Sequence, residues 1–562
     1  MNGSGVNIEA QLQTAGELLA PWVKELSTPE PHRLDVVLAP SDLVGAVKAL
    51  IESKWGYLSA ITGLDLGIEA SKIEVLYHFC SLKYILTLRV PTPRLEPSVP
   101  SICQILPSAS LYERELMEMF GVVVADTPNP DRLFLPDDWP AGVFPLRKDF
   151  LLENAKRDEQ PERNAKRPQP LEARSGEKFI IPIGPQHPAL KEPGHFEFTV
   201  DGETVTSASV RLGYVHRGIE KACEERTWIQ SLYLLERVCG ICSHTHAFAY
   251  CLGVEQLAGL EVPPRAQAIR ELVAGLERIH SHLLWLGVAA HEAGFDTLFM
   301  YSWRDRETIM DLLESLTGNR VNYSANVLGG VKFDLDSAQA DAIRRGLDYL
   351  EKRSRHYLDV VTTDAAFLQR TRGIGTMTAE QADLLGVVGP TARASGVTRD
   401  IRVEAPYGSY TRFPVSVVRE TAGDLEAKFS VRIKELFVSY NAIRAILDNL
   451  PLGDLTIRMP RKIPAGETIS RVEAPRGELF YFIKSSGGDK PERVKVRTPS
   501  MCNFASVITL VIGHQLADVP LILAGIDPCF SCNDRTAIVR RLGDQQPVWM
   551  TVGQLSKWKQ EG

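Results

Sequence analysis

The chain has 562 residues, of which 44% are hydrophobic and 24% charged, a composition typical of a globular protein with about two to four domains. Its 63 basic and 70 acidic residues give a net charge of −7, which argues against a nucleic-acid partner. The amino terminus lacks the basic and apolar stretches of a secretory signal. The apolar segment 506–526 is interrupted by polar residues, so we expect any membrane attachment to go through partner proteins.

The first 150 residues predict a small α+β domain. Ser41 and Asp42 are expected to cap a helix that continues to about residue 53. Two β-rich runs, "KIEVLYHFC" and "KYILTLRV", predict a hairpin with its turn at Ser81–Leu82. The run "LYERELMEMFG" predicts a short helix that ends at Gly121.

The rest of the chain divides into three predicted parts. Residues 151–178 are charged and contain prolines, which predicts a linker or an arm that lies on a partner. Residues 179–535 predict a mainly α-helical bundle domain with peripheral β-hairpins, because helical apolar stripes occupy 265–295, 338–361 and 422–450. The hairpin candidates are 195–212 and 477–485. Residues 536–562 form a polar carboxyl-terminal extension.

Four of the nine cysteines form two Cys-x-x-Cys pairs almost three hundred residues apart, Cys239 with Cys242 and Cys529 with Cys532. In a chain without a secretory signal, such pairs indicate metal or redox chemistry more often than disulfides. Zinc, an iron–sulfur cluster and a thiolate-rich nickel or iron centre all fit four sulfur ligands. Two unrelated pairs of buried thiols are the remaining alternative.

The sequence around the pairs resembles a known family. "RVCGICSHTHA" and "DPCFSCNDR" are similar to the two nickel-binding signatures of [NiFe] hydrogenase large subunits, in the membrane-bound, energy-converting branch typified by formate hydrogenlyase. Residues 113–150 resemble the signature of the C subunit of respiratory complex I, and residues 183–203 and 389–402 resemble its D subunit. Fusion of both parts in one chain is the formate hydrogenlyase arrangement. The resemblance covers nearly the whole chain.

This resemblance implies a Ni–Fe centre whose iron bears CO and cyanide. Cys239 and Cys529 would be terminal ligands of nickel, and Cys242 and Cys532 would bridge the two metals. The crowded negative charge requires cationic or N–H donors nearby.

The same resemblance implies roles for residues around the centre. Arg476 would lie beside the open metal face, and Ser500 would donate to a cyanide. Cys529 would accept the first proton and Glu192 would begin the proton path. His246 would form a hydrogen bond near a bridging sulfur.

The other histidines receive different interpretations. His187 corresponds to the quinone-pocket histidine of the complex I relative. His244 is expected to be a structural helix residue. His280 and His282 are expected to be packing residues, because positions two apart on a helix face different sides.

The implied activity is reversible H2 oxidation and proton reduction in the catalytic large subunit of a membrane-associated complex. Electrons would pass to 4Fe-4S clusters in a small subunit similar to the B subunit of complex I, and in a ferredoxin-like subunit. Integral-membrane hydrogenase subunits would hold this chain at the cytoplasmic face of the cell membrane. Two rivals remain: a complex I-type component that serves as a quinone site or coupling scaffold, and a zinc-stabilised interaction protein.

The carboxyl-terminal extension also has an implied role. Large subunits of this kind are often made as precursors and cut three residues after the last cysteine, a position that Arg535 occupies here. We therefore expect a maturation endopeptidase to remove Thr536–Gly562. The extension would keep Cys532 away from the site until the metals are inserted.

Overall fold

The computed structural model describes residues 8–137, 139–151, 155 and 179–533. Most of the predicted linker 151–178 lies outside the described residues. Arg535 and the extension Thr536–Gly562 lie outside them as well.

The described residues form helices and strands along the whole chain. The helices are α1 (Ile8–Leu19), α2 (Leu43–Glu52), α3 (Gly67–Ala70), α4 (Ser110–Phe120), α5 (Ile219–Glu224), α6 (Trp228–Glu236), α7 (Ser243–Leu257), α8 (Pro264–Glu292), α9 (Asp296–Thr317), α10 (Ser337–Thr363), α11 (Ala365–Thr371), α12 (Ala379–Leu384), α13 (Pro390–Arg393), α14 (Ile401–Glu404), α15 (Leu425–Asp448), α16 (Pro499–Leu510), α17 (Val519–Gly525) and α18 (Phe530–Asn533). The strands are β1 (Glu25–Glu30), β2 (Arg33–Val37), β3 (Tyr57–Asp65), β4 (Lys72–Ser81), β5 (Tyr84–Pro93), β6 (Ser98–Pro100), β7 (Val123–Ala125), β8 (Phe179–Ile183), β9 (His195–Asp201), β10 (Thr204–Arg211), β11 (Asn326–Val327), β12 (Gly330–Val331), β13 (Gly466–Ala474), β14 (Gly477–Ser485) and β15 (Arg493–Arg497).

The amino-terminal part is an α+β unit. Its sheet has the strand order β1-β2-β5-β4-β3, in which β2 and β5 are parallel and the other pairs are antiparallel. The β4–β5 hairpin is present, and its turn lies at Leu82–Lys83, one residue later than the sequence predicted. All residues of β3 are buried, because helix α4 packs on the strand from one side and strands β14 and β15 pack on it from the other.

The helix ends in this part agree only partly with the sequence prediction. Helix α4 ends at Gly121, which adopts φ 68° and donates its N–H to the carbonyl of Met117, as expected for a glycine after a helix. The predicted cap of α2 is different. A short 3-10 turn, Pro40–Asp42, precedes the helix, and the Asp42 side chain makes no capping hydrogen bond.

The second part is built around long helices. Helices α8, α10 and α15 coincide with the three predicted stripes, and α9 packs along α8. Their apolar faces meet in one cluster, in which the ring of Phe429 lies 4.7 Å from that of Trp285 and 4.9 Å from that of Phe367. These helices form a rigid scaffold next to the cysteine loops.

The expectation that all β-hairpins are peripheral is wrong for β13–β15. This three-stranded sheet is almost entirely buried between α7 and the amino-terminal sheet. The reason is that β14 is apolar on both faces. Phe480 and Phe482 face His78 of β4, with ring centroids 5.1 and 5.8 Å away, while Tyr481 and Ile483 face the cluster around α7. A strand with two apolar faces is stable only between two layers.

A buried ion cluster joins the two parts. The carboxylate of Glu478 accepts hydrogen bonds from Tyr57 and from Ser59, the latter at 2.9 Å. It also pairs with Arg471 at 3.2 Å and Arg497 at 2.6 Å. A single hydrophobic cluster likewise contains residues from both parts. The amino-terminal sheet and the helical part therefore share one interior.

Among the described residues, no helix combines the length and the apolar composition needed to cross a bilayer.

Candidate metal centre

The two Cys-x-x-Cys pairs meet in one buried cluster. The sulfurs of Cys239 and Cys529 are 3.5 Å apart, and those of Cys242 and Cys532 are 3.8 Å apart. The sulfurs of Cys239, Cys242 and Cys532 all lie within 4.8 Å of one another. Each of the four residues is only 2% exposed. Four sulfurs at such distances have the donor set and spacing of a thiolate metal site.

The first pair lies between the end of α6 and the start of α7. Cys242 is the residue before α7, so the sulfurs face the positive end of a helix. The backbone N–H groups of Ile241 and Cys242 point toward Cys239 Sγ at 3.2 and 3.4 Å. Glu277 of α8 accepts the N–H groups of His244 and Thr245 and so fixes the first turn of α7. Burial raises the pKa of Glu277 to about 8.

In the second pair, Cys529 lies between α17 and α18, and Cys532 lies within α18. The N–H of Cys529 donates to Ser500 Oγ at 3.1 Å. Phe530 is buried between Phe196 and Phe504, with ring centroids 6.3 and 5.3 Å away. Gly194 lies against Phe530 so closely that an added Cβ would come within 2.1 Å of the ring. The aromatic anchor requires glycine at this position.

The pKa of Cys239 is shifted in the opposite direction from those of the other three cysteines. Hydrogen bonds from the thiols of Cys242, Cys529 and Cys532 lower the pKa of Cys239 well below its ordinary value. The pKa values of those three neighbours are raised, because each interacts with another negative sulfur.

Arg476 lies in the turn between β13 and β14 and is 2% exposed. Its Nε donates to the carbonyl of Asp527 at 2.9 Å, and its Nη2 pairs with Asp527 Oδ1 at 3.0 Å. Burial by itself would lower the pKa of Arg476. The negative charges of Asp527, Cys529, Cys239 and Cys242 outweigh it and raise the pKa well above its usual value. A buried guanidinium is thus fixed beside the sulfurs.

Glu192 contacts the residue between the second pair of cysteines. Its Oε2 accepts the N–H of Ser531 at 2.9 Å, and its Oε1 accepts the hydroxyl of Ser531. Glu192 also lines a cavity of about 480 Å³ formed by residues 185–193, which include His187. The carboxylate therefore lies between the cysteine loop and an open cavity.

The histidines separate into different environments. His246 Nε2 is 3.7 Å from Cys532 Sγ, and its Nδ1 is 2.8 Å from the hydroxyl of Tyr481. His244 contacts the Arg270 carbonyl and the Asn326 amide, and burial lowers its pKa to about 3. These contacts agree with a structural role for His244.

His280 and His282 are both buried and face different partners. Arg306 Nε donates to Nδ1 of His280 at 2.8 Å, and His282 Nε2 is 2.9 Å from Glu435. Because Arg306 is a donor, the proton of neutral His280 lies on Nε2. In the part of the chain that the structure describes, this Nε2 has no hydrogen-bond partner.

Several buried polar atoms near the cysteines lack a hydrogen-bond partner among the described residues. These atoms are Arg476 Nη1, His280 Nε2 and Tyr323 Oη. The charge of Cys239 contributes to the pKa shifts of both His280 and Tyr323, which places those two side chains in its electrostatic surroundings. Buried donors without acceptors are costly unless another group binds them. Four sulfurs ringed by free donors fit a metal centre that carries anionic ligands.

Sequence reasoning missed three residues at the site. Asp527 pairs with Arg476 and with Lys191, at 3.0 and 3.2 Å. Arg217 contacts both cysteine loops. The position of Asp527 two residues before Cys529 was an available signal, whereas Arg217 lies 22 residues before Cys239 and nothing local marks it.

Comparison with known proteins connects this site to a family. The chain is 36% identical to formate hydrogenlyase subunit 5 of Escherichia coli over 512 residues, which cover 90% of each chain. The chain belongs to the family of membrane-bound hydrogenase large subunits of the formate hydrogenlyase type. Cys239 and Cys242 lie within the residues that match nickel-dependent hydrogenase, and Arg476, Cys529 and Cys532 lie within those that match the 49 Kd subunit of NADH dehydrogenase.

Further matches show the relation of this hydrogenase family to complex I. Residues 36–156 match the 30 Kd subunit of respiratory-chain NADH dehydrogenase, residues 292–535 match its 49 Kd subunit, and residues 217–288 match nickel-dependent hydrogenase. The fused C/D protein of the NADH-quinone oxidoreductase of Phocaeicola vulgatus is 32% identical over 84% of this chain and 93% of its own. Hence the amino-terminal unit is 30 Kd-like and the helical part is 49 Kd-like.

A solved structure extends the relation to another respiratory complex. A chain of an archaeal membrane-bound sulfane sulfur reductase superposes with a TM-score of 0.61 at 32% identity, over 64% of this chain and 98% of that chain. Relatives of this fold therefore belong to multi-subunit respiratory complexes with different reactions. The fold alone does not specify which reaction a member performs.

Proposed function

We propose that this chain is the catalytic large subunit of a membrane-associated [NiFe] hydrogenase that interconverts H2 with protons and electrons. The observation that carries the proposal is the convergence of Cys239, Cys242, Cys529 and Cys532 in one buried cluster ringed, among the described residues, by unpaired donors. In this assignment Cys239, Cys242, Cys529 and Cys532 would together hold the nickel and the iron through their sulfurs. Bound there, a Ni–Fe centre with CO and cyanide would supply the site at which H2 is split heterolytically.

The residues around the sulfurs would hold and polarise the bound group. Arg476 Nη1 remains available after Asp527 has occupied Nε and Nη2, so it can donate toward an anionic ligand or polarise H2. Ser500 is oriented by the N–H of Cys529 and offers its hydroxyl proton to a cyanide. His246 fixes Cys532 from the side of Tyr481.

A proton route begins at Cys529 in this proposal. The Cys529 sulfur accepts the proton, and Glu192 takes it next, since the carboxylate already contacts the neighbouring Ser531. The cavity lined by Glu192 and His187 then gives the proton a way out of the interior. A carboxylate at the boundary between a closed site and an open cavity is well placed for this transfer.

The partners follow from the same assignment. Electrons leave through 4Fe-4S clusters in a small subunit similar to the B subunit of complex I, followed by a ferredoxin-like protein, because the remaining cysteines of this chain are single and buried. Integral-membrane hydrogenase subunits attach the chain to the inner face of the cell membrane. A maturation endopeptidase removes Thr536–Gly562 after nickel insertion.

One observation favours a second function. The cavity at residues 185–193 and the similarity to NADH-quinone oxidoreductase proteins fit a quinone site or coupling scaffold in a complex I-type assembly. In that case the cysteine cluster would carry no nickel. The nickel content of the complex therefore distinguishes the two functions.

Elemental analysis of the purified complex, combined with an H2-evolution assay, tests the proposal. We expect about one nickel per chain, iron beyond that of the Fe–S clusters, and H2 evolution from a reduced dye. Zinc without nickel would indicate an interaction protein. Absence of both metals from the cysteines, with quinone-dependent activity, would favour the scaffold.

A further inference from the structure

One residue between the second pair of cysteines is bound on all its polar sides. Ser531 donates its N–H to Glu192 Oε2 at 2.9 Å and its hydroxyl to Glu192 Oε1. Its carbonyl accepts from Arg217 Nη2 at 3.0 Å. Glu192 and Arg217 lie more than three hundred residues before Ser531 in the chain, so neither contact is local.

The Arg217 guanidinium also binds the other cysteine loop. Nη1 donates to the carbonyl of Arg237 at 3.0 Å, and Nη2 donates to the carbonyl of Val238 at 2.8 Å. These carbonyls immediately precede Cys239, and Ser531 immediately precedes Cys532. One side chain therefore joins the two metal-ligand loops through three backbone oxygens. The planar fork of an arginine reaches several acceptors in this way, whereas a lysine ammonium is a single point.

The rest of the second loop has separate anchors. Phe530 is buried among aromatic rings, and the N–H of Cys529 binds Ser500. Neither anchor touches the first loop at Cys239. Arg217 binds backbone carbonyls of both cysteine loops, in addition to the contacts of the cysteine sulfurs with one another and of His246 with Cys532. It therefore contributes to the position of one cysteine pair relative to the other.

We propose that Arg217 and Glu192 form a latch on Ser531 that holds the carboxyl-terminal cysteine loop closed and helps to set the spacing of the two pairs. Arg217 is a positioning residue in this device. The distance between the two cysteine pairs matters only if they bind the Ni–Fe centre. The biological role of the latch therefore rests on the proposed hydrogenase function. The contacts of the latch themselves involve no metal.

Hydrogen–deuterium exchange, followed by mass spectrometry on the full chain treated with chelator, tests the latch directly. The amides of Cys529 and Ser531 should be protected, since both donate to side chains. In Arg217→Lys we expect their exchange to be about tenfold faster or more, because hydrogen bonds from a charged donor are lost while the charge is kept. Exchange of α8, the peptide Pro264–Glu292, should not change and reports correct folding.

Matched variants separate the latch from general destabilisation. Arg226→Lys is the control, because Arg226 is an exposed arginine that donates to one local carbonyl, that of Ala222, at 3.0 Å. It should leave the exchange of residues 527–533 unchanged. Glu192→Ala should open the loop, whereas Glu192→Gln keeps an acceptor for the Ser531 N–H and should retain most of the protection.

The outcomes distinguish the latch from the proposed function. Unchanged exchange at Cys529 and Ser531 in both Arg217→Lys and Glu192→Ala would refute the latch, even if the wild-type complex contains nickel. Faster exchange in these variants supports the latch, even if elemental analysis finds no nickel and the hydrogenase assignment fails. If nickel is present, Arg217→Lys should also lose it to a chelator about tenfold faster than Arg226→Lys does.

Discussion

Cys239, Cys242, Cys529 and Cys532 are not interchangeable with the other buried cysteines of the chain. Replacing any one of the four by Ala should abolish H2 evolution and lower nickel content, since no other sulfur in the described residues lies in the cluster. Cys251→Ala is the matched control, because Cys251 is fully buried in a separate apolar cluster. Retention of wild-type activity by any of the four variants would refute the ligand assignment.

We expect Arg476 to act through the geometry of its guanidinium as well as its charge. Two of its nitrogens bind Asp527, and the third, Nη1, remains for the bound group. Arg476→Lys retains the charge but cannot fill both positions. We expect turnover to fall about a hundredfold or more, as for loss of a preorganised donor, with nickel content unchanged.

A surface arginine provides the comparison for this variant. The Arg461 side chain is 88% exposed, so Arg461→Lys should be fully active. An Arg476→Lys enzyme with normal H2 turnover would mean that positive charge alone is sufficient at this position.

The buried carboxyl of Glu118 on helix α4 holds the loop at residues 133–135 in place. Glu118 accepts the N–H groups of Leu133, Phe134 and Leu135 at 3.2, 2.7 and 3.1 Å. Burial nevertheless raises its pKa from 4.5 to about 7, although the N–H groups oppose the shift. A carboxyl whose pKa is higher in the folded state stabilises the fold fully below pH 4.5. That contribution is lost as the pH rises through about 7.

This shift predicts a pH-dependent difference between wild type and Glu118→Gln. The shift from 4.5 to about 7 corresponds to at most about 3 kcal/mol. The amide of the variant resembles the protonated carboxyl and does not titrate, whereas the wild type loses stability as Glu118 ionises. The melting temperature of the variant minus that of wild type should therefore increase from pH 5.5 to pH 8. Glu52→Gln on α2 controls for loss of an exposed carboxylate. A constant difference across this range would contradict the buried, titrating carboxyl.

For the molecule as a whole, the second cysteine pair lies at the end of the described chain, just before Arg535 and the segment Thr536–Gly562. We expect this segment to be absent from the active, nickel-loaded complex, as the family resemblance implies. Cys532 already lies 3.8 Å from Cys242 in the 562-residue chain, so the expectation that the extension keeps Cys532 away from the site is not supported by the structure. Intact-mass measurement of the large subunit in active and nickel-free preparations provides the test. A full-length chain in the active complex would show that activity does not require cleavage.

Much of the element pattern could be predicted from periodicity. The stripes at α8, α10 and α15 lie on long amphipathic helices, for which a period of 3.6 is a strong local signal. The Asp42 cap was predicted incorrectly, since Ser and Asp before an apolar run fit both a cap and the 3-10 turn that occurs here. The burial of β14 could not be predicted, because a short apolar strand looks the same at an edge and between two layers.

The sequence by itself determined the family of this protein, because two Cys-x-x-Cys pairs occur in contexts that resemble that family's signatures. Only the tertiary structure decided how the pairs meet and what surrounds them. Arg217 and Glu277 reach the cysteine loops from distant segments. Arg476 pairs with Asp527 beside the second cysteine pair, and Arg306 occupies one ring nitrogen of His280. Such contacts depend on packing between elements, and sequence spacing carries no information about which distant side chains that packing brings together.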